Sequence, residues 1–132
     1  MELIKKHQIK CDSIILAQDA TMQCRMAATF RKYVTDDILV INYATYQVQV
    51  IEQKGVLTYQ KPPLGMWQIK RYISLLMGEI PRLSDDENGY GPCGKNFISH
   101  VDIPSEVVVA FEQLKVLYSK SIRKANPKFA SK

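Results

Sequence analysis

Residues 38–60 read ILVINYATYQVQVIEQKGVLTYQ, and this stretch decides the fold class. Leu39, Val40 and Ile41 form a continuous apolar run, Tyr46, Val48 and Val50 alternate after it, and Lys54-Gly55 separates both from Val56, Leu57, Thr58 and Tyr59. β-branched and aromatic side chains fit a pleated, half-buried surface, and a glycine-containing break between such runs reads as a turn. Two or three antiparallel strands are expected here.

The flanking segments carry a different period. Leu16, Ala20, Cys24, Ala27, Phe30 and Val34 recur at three- and four-residue steps behind Asp12 or Ser13 as a cap, which predicts a helix over 13–34. Ile15, Met22 and Met26 widen its apolar surface, so it is expected to pack on the sheet, with Arg25, Thr29 and Lys32 on its other side. Pro62-Pro63 ends the last strand because neither residue donates to a ladder. Met66, Ile69, Ile73 and Leu76 then share a stripe as far as Pro81, predicting a helix over 65–79. Residues 82–103, with Gly89, Gly91, Pro92 and Gly94, read as a long loop, and such loops are often functional or mobile. Val107, Phe111, Leu114, Tyr118 and Ile122 trace the clearest amphipathic helix, over 105–124, with Lys120, Arg123 and Lys124 at the negative pole of its dipole. The expected architecture is α+β, with about three helices packed on one face of a small antiparallel sheet. Residues 1–132 are expected to form a single domain with a short basic tail from about residue 125.

Composition narrows the class. The 132 residues are 46% hydrophobic and 23% charged, close to globular averages, which argues against disorder and fibre. No stretch approaches the roughly 18 apolar residues of a membrane span, and no apolar run follows the basic residues of the opening segment as a signal peptide requires. Cys11, Cys24 and Cys93 are odd in number and irregularly spaced, which favours reduced thiols and a cytoplasmic location. The net charge of +5 favours anionic partners. Basic residues crowd both ends of the chain, whereas Asp36, Asp37, Asp85, Asp86, Glu87 and Asp102 are assigned to loops, leaving basic faces undiluted.

Four motif-like groupings bear on chemistry. Gly89 through Asn96 satisfies the G-x-x-x-x-G-K part of a phosphate-binding loop, but Asn96 stands where a magnesium-binding hydroxyl belongs and no strand precedes it. A glycine-rich turn is the expected reading, with a looser anion nest of backbone amides as the alternative. Cys93 and His100 suggest a thiol nucleophile with an imidazole base, yet the sequence singles out no third, orienting residue. His7 and Cys11 with those two could ligate zinc, but the short Cys-x-x-Cys knuckle is missing. Asp36-Asp37 and Asp85-Asp86-Glu87 are read as solvated turn residues. No catalytic residue, metal or cofactor is expected.

Aromatic residues recur beside basic ones, in Phe30-Arg31-Lys32-Tyr33, Trp67 with Lys70-Arg71-Tyr72, and Tyr118 with Lys120 and Arg123. Cations hold phosphates and flat rings stack on unpaired bases. The leading expectation is a non-enzymatic binder of RNA or single-stranded DNA using Arg25, Lys32, Trp67, Lys70, Arg71, Lys120, Arg123 and Lys124. The alternative is a protein-interaction module or inhibitor anchored by Trp67, Met66, Tyr72 and exposed sheet residues. A hydrolase or nuclease built on Cys93, His100 or the acidic loop ranks behind both. No membrane partner is expected.

Overall fold

The computed structural model describes residues 2–122. A single-turn helix α1 (Glu2–Lys6) precedes β1 (Ser13–Gln18), α2 (Gln23–Arg31) and β2 (Leu39–Ala44). A hairpin of β3 (Val50–Gln53) and β4 (Val56–Tyr59) follows, then α3 (Ile69–Leu83), an irregular segment, and α4 (Ser105–Tyr118) running into a 3-10 turn at Ser119–Ser121. The class is α+β, as expected.

Residues 13–34 do not form one helix. Ile14 and Ile15 are β-branched and stiff at χ1, which favours a strand, and only the segment from Gln23 winds up. Between them the Asp19 carboxylate accepts bonds from the Thr21 amide at 2.9 Å and its hydroxyl at 2.7 Å, a local Asx turn that ends the strand. The helical spacing arises because Leu16, buried on β1, and Ala27, buried on α2, fall in phase by coincidence.

The sheet also differs from expectation. Strands β1 and β2 pair in parallel, Ser13 opposite Leu39 and Gln18 opposite Ala44, while β3 and β4 form a separate antiparallel pair, Val50 opposite Tyr59 and Gln53 opposite Val56. A helix crossing back between two strands lets them run in the same direction, and α2 does this for β1 and β2. The hairpin has the expected turn and second strand, but Tyr46 and Val48, expected on its first strand, lie before β3, which begins at Val50. Lys54 and Gly55 take φ of 55° and 76°, the two left-handed residues of a tight turn whose twist suits the flanking strands.

The helices do not share one sheet face. Helix α2 covers one side of the parallel pair, α3 lies against β4 and touches α2, and α4 meets α3 and the following turn; among the described residues it meets no strand. Helix α3 runs past its expected end, through Pro81 to Leu83. A proline so close to a helix end forfeits one backbone bond. Continuing carries Leu83 into a cluster with Ala28 and Ile98, against which Tyr90, Val101 and Ile103 pack. Residues 123–124, assigned to the last helix, lie outside the described residues, as does the basic tail.

Candidate functional site

In open α/β structures, ligands gather at the carboxyl ends of parallel strands. Here that edge is held by Asp19, directly after β1. Its Oδ1 accepts from the Thr21 amide and hydroxyl and from the Tyr46 hydroxyl at 2.8 Å, and its Oδ2 accepts from Trp67 Nε1 at 2.8 Å. Burial alone would raise this carboxyl, but the bonds from Trp67, Thr21 and Tyr46 outweigh it and keep the group below the usual carboxylate range. Burial, reinforced by the bond to Asp19, pushes the Tyr46 phenol up, and Tyr59 and Tyr72 are raised chiefly by burial as well. An ionised carboxylate already accepting four bonds is a poor base, and phenols held protonated are poor nucleophiles. The arrangement is a clamp: it ties the end of β1 to the segment after β2 and to the segment before α3. An open groove of about 480 Å³ lies alongside, lined by Ala20, Tyr43, Thr45, Tyr46, Val48 and Tyr72.

The described basic candidates are divided between internal contacts and solvent. Arg25 reaches Glu79 through Nε at 2.6 Å and Nη2 at 3.2 Å, and Arg82 approaches the same carboxylate at 3.5 Å. Glu79 is 5% exposed, and both guanidinium groups are held beside it inside the fold. The Lys32 ammonium donates to the carbonyl and side-chain oxygens of Asn96. Arg71 stands 5.8 Å from the centroid of the Trp67 ring, and Tyr59 donates to the Trp67 carbonyl at 2.8 Å. Trp67 is thus 43% exposed yet fixed at its indole nitrogen and at one ring face. Lys70 and Lys120 are exposed. Arg123 and Lys124 lie outside the described residues.

The loop after α3 has its own centre in Asp85. Its Oδ1 accepts the Cys93 amide at 2.6 Å, and its Oδ2 faces His100 Nδ1 at 2.6 Å, while His100 Nε2 faces Asp102 at 3.1 Å. Carboxylates at both ring nitrogens favour the doubly protonated imidazolium, and His100 is accordingly raised by Asp85 first and Asp102 second. Asp85 also pushes the Cys93 thiol up, the reverse of what a thiolate nucleophile needs. The cysteine–histidine pairing therefore offers neither a base nor an activated nucleophile.

The glycine-rich string is equally self-contained. The amides of Gly89, Gly91, Gly94, Lys95 and Asn96 donate to carbonyls within residues 84–91, so they are spent before any anion arrives. Helix α3 precedes the string and no helix directly follows it, so the flanks of a nucleotide loop are missing. Among the described residues no three His, Cys, Asp or Glu side chains converge as metal ligands.

Sequence reasoning missed a bare apolar face. On the side of the parallel pair away from α2, Ile15, Leu39, Ile41 and Tyr43 are 66%, 61%, 42% and 58% exposed. In the parallel register Ser13, Ile15 and Ala17 stand opposite Leu39, Ile41 and Tyr43, so these side chains form one continuous patch. The signal was present in Leu39-Ile41-Tyr43, but it becomes readable only once β1 is recognised as its neighbour. No protein-family model matches the chain. Among the described residues no helix is long and apolar enough to cross a membrane.

Proposed function

We propose that this chain is a protein-interaction module that captures an extended, apolar segment of a partner protein on the β1–β2 pair. One observation carries the reading: Ile15, Leu39, Ile41 and Tyr43 lie uncovered on one sheet face, each at least 42% exposed. Burying apolar surface is worth about 25 cal/mol per Å², and a patch of large neighbouring side chains is where that term accumulates. Among the described residues each outer strand edge also lacks a neighbour, so a third strand would gain backbone hydrogen bonds with its apolar contacts. Alternating apolar side chains in the partner segment would meet the face, with polar ones pointing away.

The nucleic-acid reading draws less support from this geometry. Arg25 and Lys32 are engaged internally, and Trp67 carries an ionised carboxylate at its nitrogen, which repels phosphate. The test is a random-peptide display selection against the parent protein with Ile41→Lys as counter-selection, followed by amide chemical-shift mapping of a selected peptide. Peptides of alternating apolar pattern that shift residues 13–18 and 39–44, and that lose at least about tenfold in affinity with Ile41→Lys, are expected. Salt-dependent binding of a single-stranded oligonucleotide, untouched by Ile41→Lys and lost with Lys70→Ala/Lys120→Ala, would overturn the reading in favour of nucleic acid.

A further inference from the structure

Helix α4 is apolar on two sides, and among the described residues only one has a covering. Phe111, 9% exposed, is the buried anchor, whereas Val109, Val116 and Leu117 are 57%, 82% and 75% exposed. At 100° per residue, Glu106, Val109, Ala110, Gln113, Val116 and Leu117 fall on the face opposite Phe111, and all are exposed. Lys120 follows in the terminal turn, also exposed. Among the described residues nothing covers this apolar stripe, and the helix meets no strand.

We propose that two copies of the chain pair through this outer face, their α4 helices antiparallel and related by a twofold axis at Gln113. A twofold interface requires that each contact occur twice with the partners exchanged. The α4 face meets that condition: with Gln113 on the axis, Val109 stands opposite Leu117 and the small Ala110 opposite Val116. Glu106 stands opposite Lys120. The charges select the direction, because a parallel pair would set Glu106 against Glu106 and Lys120 against Lys120, and like charges at close quarters repel. Antiparallel packing also opposes the two helix dipoles. The face therefore complements itself in size and in charge, which points to a second copy rather than an unrelated partner. One pair of 14-residue helices buries less than the roughly 1,600 Å² of a standard interface, so the dimer dissociates on dilution. The surface is separate from the β1–β2 face, and either can fail alone.

Sedimentation velocity over a concentration series tests the pairing, with circular dichroism melts confirming that every variant folds. The parent is expected to dimerise as concentration rises, and Val116→Glu to remain monomeric. Glu106→Lys and Lys120→Glu should each weaken the dimer by at least about tenfold, the double exchange Glu106→Lys/Lys120→Glu should restore it, and an equimolar mixture of the two single variants should form a heterodimer. A parent that stays monomeric throughout, a dimer that survives Val116→Glu, or single variants no weaker than the double exchange would each overturn the proposal.

Discussion

Residues 84–104 and helix α4 are neighbours in sequence and opposites in construction. The first has no regular structure, yet it holds Ile98, which is 1% exposed, and it lays Tyr90, Val101 and Ile103 against the Ala28–Leu83 cluster. The second has the clearest helical spacing in the chain, yet Phe111 is its buried residue. Regularity and burial are separate properties. Backbone bonds internal to a segment make it regular, whereas burial depends on whether its side chains find a partner surface.

The sharpest way to break this comparison is to truncate one side chain in each region. Ile98→Ala removes three of the four side-chain carbons from a buried cluster and should cost about 2–5 kcal/mol in chemical denaturation. Val116→Ala, at 82% exposure and measured at low protein concentration, should change stability by less than about 0.5 kcal/mol. Similar losses for both would mean that α4 is held as firmly as the loop, and the contrast would collapse.

The second prediction concerns why the loop keeps one shape. A Cβ at Gly94 would lie 2.1 Å from the Asp86 carbonyl oxygen and 2.4 Å from that of Gly89, both backbone atoms that cannot swing aside. Gly94→Ala should therefore force the 84–98 turns apart and cost about 1–3 kcal/mol, with faster amide exchange at Lys95 and Asn96, whose bonds run to Gly89 and Gly91. Unchanged stability and exchange would show that the turns yield easily.

These two effects also explain what the sequence could and could not disclose. The Lys54-Gly55 turn and strand β4 were legible because they are local, whereas the span of β3 is set by its pairing with β4, Val50 opposite Tyr59. Helix α3 was legible in Ile69, Ile73 and Leu76 but in neither end: Met66 precedes its first residue, Ile69, and only the packing of Leu83 shows why the helix continues past Pro81. Strand β1 was hidden by a coincidence of phase between Leu16 and Ala27. The clamp was hidden by distance, because Asp19 meets Tyr46 27 positions away and Trp67 48 positions away. Basic residues were legible as charges, but that Arg25 is spent on Glu79, 54 positions on, belongs to the tertiary fold alone.

The smallest expected effect sharpens the same contrast through pH. His100 is raised above its ordinary 6.5 by Asp85 and then Asp102, and Asp85 is lowered from 3.8 by the Cys93 amide and then His100. A raised histidine contributes stability that is complete below its unfolded value and is lost as pH rises through its folded value. A lowered carboxylate contributes above its unfolded value and is lost as pH falls through its folded one. The loop should consequently be most stable between about pH 4 and pH 6.5, the span bounded by the two unfolded values. Because His100 is half exposed, solvent screens the pair and the change in melting temperature should be slight. Proton resonance titration gives the cleaner readout: His100 should titrate above 6.5 in the parent and move down in Asp85→Asn, in which the pH dependence of melting should also flatten. Helix α4 supplies the control, since Glu112→Gln breaks only the exposed pair with Lys115 and should leave the His100 titration where it was. A His100 that titrates at or below 6.5 in the parent would mean that Asp85 does not organise the loop in solution.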